Sequence, residues 1–434
     1  MKFSPAKTLI LFFLGLMVTG TAFLSLPAAN SFSRFSFITN LFTAVSSVCV
    51  TGLSVVHIGE YYSAFGQIII LVLTQLGGLG YMFVSTVITL LLGKMALKDR
   101  RIMQELFDVS SFNGLKYLLS KAIIFVLGIE FIGTVVLTLI FLRDFSFLRS
   151  IYLGIFFSIT AFCNAGFSVF NNSVAMFDNN PAILYVLAIL ILLGGFGFFV
   201  IVDVYDRHKE KRRHLSTHTK VVLFVTAIIV CLSFLLFLFS DALKGHGLFY
   251  LINNAFFQAV SSRTAGFYTV APSLFDDFTE CLLMIFMAIG GAPGSTAGGM
   301  KITTIALICM FVKSVLTGDE DYVLFKRRIP ADLVRKALVI FIIFFALISV
   351  LSLVLMLQEN YLRPISVIFE VISAFSTVGL SLDVTPDLSL AGKIYIIIAM
   401  IVGRIGILTI LILMVNPIAE NKKIKYPEGR VLVG

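Results

Sequence analysis

Four short stretches of this chain set a glycine where main-chain carbonyls could gather around a cation. They read Cys49-Val50-Thr51-Gly52-Leu53-Ser54, Cys163-Asn164-Ala165-Gly166-Phe167-Ser168, Arg263-Thr264-Ala265-Gly266-Phe267-Tyr268 and Phe375-Ser376-Thr377-Val378-Gly379-Leu380-Ser381. Glycine takes unusual φ values without steric cost, so a loop built on it can turn its carbonyls inward. Rings of such carbonyls, standing in for an ion's water shell, are the working parts of ion filters. The candidate filter is therefore Val50, Thr51 and Gly52; Asn164, Ala165 and Gly166; Thr264, Ala265 and Gly266; Thr377, Val378 and Gly379.

The glycines lie at 52, 166, 266 and 379, intervals of 114, 100 and 113 residues. Such periods are too long for a solenoid and suit four membrane modules. The competing reading, small residues that let helices pack closely as in GxxxG pairs, gives no reason for the short apolar run before each copy. Repetition in the same place favours the filter.

The elements that must hold these loops follow from composition. With 59% hydrophobic and 13% charged residues and no Trp, and a mean hydropathy of +1.01, the chain lies outside the range of soluble domains, where roughly a quarter of residues are charged. It reads as a polytopic membrane protein in which Tyr61, Tyr62, Tyr152 and Tyr361 supply interfacial aromatics. Five cysteines, Cys49, Cys163, Cys231, Cys281 and Cys309, show no CxxC or ligand spacing, so neither a disulfide nor a metal cluster is expected.

Apolar segments of spanning length lie near 8–27, 64–93, 117–142, 181–203, 219–240, 279–312, 334–357 and 391–415, which predicts eight helices. Shorter pieces near 37–48, 149–162, 249–261 and 365–375 are re-entrant half-helices. Met1 to Asn30 imitates a signal peptide, but the apolar run from Thr8 to Leu26 exceeds the usual h-region of about 7–15 residues and is read as a first spanning helix. Irregular backbone at membrane depth must be buried in protein or line an aqueous cavity. The expected fold is an all-α polytopic membrane protein, with four pseudo-repeated modules of helix, pore half-helix and helix around one central pore. Module 1 is 1–93 with its filter at 50–54, module 2 is 94–210 with 163–168, module 3 is 211–318 with 263–268 and a loop at 290–301, and module 4 is 319–416 with 376–381; 417–434 is a cytoplasmic tail.

Basic residues crowd the segments 94–121, 203–220, 313–336 and the tail, so these face the cytoplasm together with both termini. The outer face carries Glu60, Asp144, Asp178, Asp276, Asp277, Glu280, Asp383 and Asp387, expected to concentrate cations at the outer mouth. A half-helix entering from that side aims the negative end of its dipole at the centre, where a cation is favoured.

The second helix of module 3 is interrupted by Gly290-Gly291-Ala292-Pro293-Gly294-Ser295-Thr296-Ala297-Gly298-Gly299, followed by Met300 and Lys301. Each Gly costs about 1 kcal/mol and Pro about 3 in a helix, so the helix breaks there. A phosphate-binding reading of Gly294 to Lys301 fails, since the spacing is off by one and no strand precedes it. Arg404 lies deep in an apolar segment, where an ionisable group is usually functional. It is read as facing the pore, where it repels cations or holds the loop closed; the alternative is a snorkelling or structural arginine that caps carbonyls of the broken helix. Glu130 and Glu370 read as buried, hydrogen-bonded carboxylates rather than ion ligands, and His208, His214 and His218 as solvated.

Across nearly its whole length the chain resembles the ion-translocating membrane subunit of the Ktr potassium uptake systems, in the Trk/Ktr/HKT superfamily. The four modules carry the resemblance, with Gln75-Leu76-Gly77-Gly78-Leu79-Gly80, Gly403-Arg404-Ile405-Gly406 and Tyr426-Pro427-Glu428-Gly429. It implies a potassium filter at the four glycines, whose single Gly per repeat makes it short and its selectivity modest. It implies a gate formed by Gly290, Gly291, Gly294, Ser295, Thr296, Gly298, Gly299, Lys301 and Arg404. A homodimer on the bacterial cytoplasmic membrane is implied, docked on a cytosolic nucleotide-binding regulatory subunit of the RCK/KTN type. Basic segments 94–121 and 203–220 would touch that subunit or anionic lipid headgroups. No covalently bound cofactor and no nucleic acid partner are expected; potassium occupies the pore, and sodium is an activator in some such systems. A cation-coupled secondary transporter is the alternative, but its repeats would be inverted. An enzyme would need a nucleophile or acid/base cluster that this chain lacks.

Overall fold

The structure, a computed structural model, describes residues 5–31, 36–92, 112–209, 214–244, 247–319 and 321–406. Its first repeat runs through α1 (Pro5–Leu24), α2 (Phe37–Cys49), the single turn α3 (Ile58–Tyr61) and α4 (Ala64–Leu92). The second contains α5 (Phe112–Phe141), α6 (Phe147–Phe162), α7 (Pro181–Phe196) and α8 (Phe198–Lys209). The third contains α9 (Thr217–Phe237), α10 (Gly247–Ser261), α11 (Asp277–Ala288) and α12 (Ile302–Thr317). A two-residue hairpin, β1 (Val323–Leu324) and β2 (Arg327–Arg328), then leads into α13 (Ala331–Gln358), α14 (Pro364–Phe375) and α15 (Leu390–Ile405). Phe325 and Lys326 both have positive φ, as a tight hairpin turn demands.

Among the described residues the uninterrupted spans are Lys7–Leu24, Ser120–Phe141, Thr217–Phe237 and Ala331–Gln358, the opening helix of each repeat. They expose apolar side chains such as Phe131, Leu139, Ile342 and Leu353, as a lipid-facing belt must. The four short helices are packed inside that belt. Their large side chains, among them Phe42, Phe156, Phe257 and Phe369, are fully buried, each contributing about 1.5–3 kcal/mol relative to exposure. The chain is thus an all-α, multi-pass membrane protein.

The expectation of eight helices broken only in the third repeat needs correction. The second helix is interrupted in the first and second repeats as well as the third, and in the fourth it ends at Gly406, where the described residues stop. In α4 the break is at Gly80, with φ 70°. Helices α7 and α8 meet at Gly197, φ 83°, and bend by 94°. Between α11 and α12 lies the loop 289–301, and α15 stops at Gly406, φ 84°. The two glycine breaks and this helix end share one spacing, Gly-Gly-Leu-Gly, Gly-Gly-Phe-Gly and Gly-Arg-Ile-Gly, whose last glycine has positive φ. Residues 407–415 of the expected last helix, the tail 417–434, Tyr426 to Gly429 and most of the basic segment 94–121 lie outside the described residues.

Candidate functional site

The glycine turns begin as helix C-caps. In all four repeats the residue two before the glycine has positive φ, and in three of them, at Val50 (57°), Asn164 (57°) and Thr377 (51°), the turn closes in the same way. Its N–H and the next one turn back on the helix. Val50 N donates to Ser47 O (3.1 Å) and Thr51 N to Ser46 O (2.8 Å); Asn164 and Ala165 bond Ala161 O and Thr160 O at 3.1 and 2.8 Å; Thr377 and Val378 bond Ala374 O and Ser373 O at the same two distances. That pair of bonds is the Schellman end of a helix. The third repeat differs, since Ala265 and Gly266 both donate to Ser261 O (3.0 and 3.3 Å), although Thr264 still has φ 67°. Positive φ strains a β-branched residue such as Val50, Thr264 or Thr377, a sign that surrounding structure dictates the conformation.

The four turns close on one another in a ring. A Cβ on Gly52 would overlap the Ala165 carbonyl oxygen, one on Gly166 would stand 2.7 Å from Ala265 O, one on Gly266 would overlap Val378 O, and one on Gly379 would overlap Thr51 O. Each glycine thus lies against the carbonyl of the residue before the next glycine, in the order first, second, third, fourth and back to first. All four glycines have positive φ, from 65° to 96°. The twelve residues expected to form the filter are brought together, and the C-terminal, negative ends of α2, α6, α10 and α14 converge on them.

Outside the ring is an open cavity of about 260 Å³, lined by the four glycines, Ser54, Ser168, Tyr268, Ser381 and Asp383 among others. The acidic residues expected at this mouth are mostly elsewhere. Asp277 pairs with Arg363 (2.9 Å), Glu60 accepts from Asn171 (2.6 Å) and Asp178 from Asn179 (2.7 Å); of the eight, Asp383 alone lines the cavity. Asp276 precedes α11 and accepts from the Thr279 hydroxyl (2.6 Å), which holds its carboxyl below the ordinary range.

Inside the ring lies the loop 289–301. Its base is zipped by Gly290 N to Met300 O (2.9 Å) and Ile302 N to Gly291 O (3.1 Å). Its tip is bonded to the break in the second repeat: Ala292 N to Gly195 O (2.9 Å), Thr296 N to Gly194 O (3.3 Å) and Phe198 N to Gly294 O (3.1 Å). The Thr296 hydroxyl donates to Phe162 O, the last carbonyl of α6, at 3.0 Å. On the other side Gly298 is pressed against Ser376 O and the Thr377 side chain at the end of α14. The loop therefore touches the pore-facing helix ends of both neighbouring repeats.

Arg404 joins it to the repeat opposite. The guanidinium donates to Thr296 O (2.7 Å), Gly77 O (2.5 Å) and Gly78 O (3.1 Å). Arg404 thus bonds a loop carbonyl, as a residue holding the loop would, and two carbonyls beside the break in α4. Lys301 Nζ donates to Ala297 O (2.7 Å) within the loop, and Ser295 Oγ to Ala292 O (2.6 Å). Sequence reasoning missed Arg263, whose guanidinium reaches Gly290 O at 3.3 Å, and the carbonyls of Gly77, Gly78, Gly194 and Gly195. The recurring Gly-Gly-x-Gly spacing was the signal for those four.

The remaining candidates sit apart from the ring. Both oxygens of Glu130 accept from Gln75 Nε2 at 2.9 Å, and Glu370 accepts from Thr385 Oγ1. Helix α8 is clasped on two sides, by Lys121 to Asp206 (2.7 Å) from α5 and by Asp203 accepting from Ser216 N and Thr219 Oγ1 (3.0 and 2.6 Å) at the start of α9. His218 lies against Phe199, not free in solvent. No group of three or more potential metal-binding side chains occurs among the described residues.

Residues 6–424 match the family model described as TrkH, cation transport protein. Ktr system potassium uptake protein B of Vibrio alginolyticus is 36% identical over 440 residues, covering 100% of this chain and 96% of that protein. Potassium/sodium uptake protein NtpJ of Enterococcus hirae is 33% identical, with 100% of this chain and 98% of that protein covered. Ktr system potassium uptake protein D of Bacillus subtilis is 34% identical, with 99% and 97% covered. The crystal structure of the potassium transporter TrkH from Vibrio parahaemolyticus superposes with a TM-score of 0.73 at 22% identity, covering 95% of this chain and 85% of that one, a likeness of fold.

Proposed function

Because the chain belongs to the TrkH cation transport protein family, a family of transporters and not of enzymes, we propose that it admits potassium through a pore in the bacterial cytoplasmic membrane. The carrying observation is the closed ring of Gly52, Gly166, Gly266 and Gly379 on the carbonyls of Ala165, Ala265, Val378 and Thr51. Backbone oxygens fixed by positive-φ glycines replace part of the ion's hydration shell, and the converging helix ends add negative potential. The pore's units are the modules 1–93, 94–210, 211–318 and 319–416, both termini are cytoplasmic, and the tail 417–434 extends inside.

The loop 290–301 is the gate. Its hydrogen bonds to the second repeat and, through Arg404, to the first place polar backbone directly inside the ring. A cytosolic nucleotide-binding subunit of the RCK/KTN type controls it, and two copies of the chain form a dimer, as the relatives named as Ktr system proteins suggest. Potassium is cargo; no covalently bound group enters the reading. Sodium joins it as an activator or second cargo, since the Enterococcus hirae relative is named for both ions.

Complementation of a potassium-uptake-deficient bacterium tests the reading. Expression with a regulatory subunit restores growth at low potassium, and potassium enters in preference to sodium. Failure to rescue with correctly inserted protein, or equal entry of both ions, overturns it.

A further inference from the structure

The fourth repeat holds a carboxylate where the others hold none. Glu370 lies nine residues before Gly379; the matching positions before Gly52, Gly166 and Gly266 are Thr43, Phe157 and Phe257. Neutral side chains fill this position elsewhere, so packing does not call for an acid. Glu370 is completely buried, one carboxylate oxygen accepts from Thr385 Oγ1, and Oε2 has no hydrogen-bond partner among the described residues. A buried carboxylate with an unpaired oxygen is costly. Its geometry shows what the cost supports.

Thr385 is also 3.1 Å from Ser381 Oγ. Ser381, Asp383 and Thr385 all line the cavity outside the ring. The strand that leaves Gly379 is thus pinned at its inner side to Glu370 and at its outer side by Ser273 Oγ, which donates to Asp383 (2.5 Å). Between those pins Asp383 has φ 62°, a conformation that needs holding. In the first two repeats the serine two after the glycine is tied only to local backbone, Ser54 to Val56 O (2.6 Å) and Ser168 to Ser173 O (2.8 Å). Only the fourth strand hangs on a buried acid.

Resting on the potassium reading above, we infer that Glu370 is a positioning residue for ion selection: through Thr385 it sets Ser381 and the mouth carboxylate of Asp383 relative to the fourth quarter of the ring. The ion does not touch it. It works as a hydrogen-bond acceptor, not as a source of negative potential.

The test measures uptake of potassium and sodium by the full chain with its regulatory subunit, normalised to inserted protein. Glu370→Ala and Thr385→Val each raise the KM for potassium and lower the potassium-to-sodium ratio about threefold to tenfold, the weight of one ordinary hydrogen bond. Thr385→Ser restores both values, Glu370→Gln stays much closer to wild type than Glu370→Ala, and the Glu370→Ala/Thr385→Val double variant is no worse than either single one. Unchanged KM and ratio in Thr385→Val overturn the inference, as does a Glu370→Gln variant as impaired as Glu370→Ala, which would mean that charge acts directly. Should Glu370→Ala not insert, the Thr385 pair decides alone. A wild type that takes up both ions equally refutes the potassium reading instead and is recognised before any variant is measured.

Discussion

Replacing Arg404 by Ala is the sharpest perturbation of the proposed gate. Three hydrogen bonds are lost, but only the one to Thr296 O, at 2.7 Å, joins the last helix to the loop; those to Gly77 O and Gly78 O tie α15 to α4. A hydrogen bond to a charged group contributes about 1.5–3 kcal/mol. Arg404 is partly accessible rather than sealed, so the low end applies. Losing about 1.5 kcal/mol from the closed state alone multiplies the open fraction about tenfold. Rubidium entry into proteoliposomes lacking the regulatory subunit reads that fraction directly. Arg404→Ala raises it about tenfold, while Arg404→Lys, a point charge that reaches fewer of the three carbonyls, gives a smaller rise. Flux within twofold of wild type at equal reconstitution refutes the closed-state strap.

Other perturbations read the same site. Deleting Ala292 to Thr296 removes every bond to Gly194, Gly195 and Phe198; it raises flux and weakens dependence on the regulatory subunit, and unchanged or lower flux in a well-inserted protein argues against a gate. Thr296→Val loses the bond to Phe162 O, worth about 1 kcal/mol, so the same rubidium assay shows a rise of about fivefold. Gly266→Ser and Gly379→Ser force a side chain onto Val378 O and Thr51 O at φ 78° and 96°; potassium-over-sodium selectivity relaxes or uptake ceases, and unaltered selectivity removes the ring from the filter. Gly298→Ala pushes the loop off Ser376 O and Thr377 and increases unregulated flux, which the proteoliposome assay checks.

The half-helices were legible to within two residues at either end, 37–48 against Phe37–Cys49 and 365–375 against Pro364–Phe375. Their apolar runs end where Schellman chemistry takes over, and that chemistry is local. The breaks at Gly80 and Gly197 and the helix end at Gly406 were not legible. A single glycine costs an apolar helix only about 1 kcal/mol, so whether it bends depends on what waits beside it. At Gly197 that is the carbonyl of Pro293, 2.8 Å from where a Cβ would stand, almost a hundred residues away in sequence. Arg404 was legible as a residue out of place, but its partners lie 108, 326 and 327 residues distant, beyond any local pattern.

The departure of the third repeat from its siblings fits a near-fourfold frame that carries the one proposed gate. In the first, second and fourth repeats a glycine of the second helix, Gly77, Gly194 or Gly403, is seated on the carbonyl of Val48, Phe162 or Phe375 in its own pore helix, too close for any Cβ. That contact locks helix to half-helix. In the third repeat Gly290 instead faces Gly298 O across the zipped base of the loop, and the Schellman end of α10 is replaced by two bonds to Ser261 O. The lock is missing in the one repeat whose second helix supplies the loop. In place of that lock the Arg263 guanidinium, just past α10, reaches Gly290 O (3.3 Å), and the segment extends to the ends of α6 and α14 on either side and, through Arg404, to the first repeat opposite. The loop is thus in contact with the second and fourth repeats directly and with the first through Arg404.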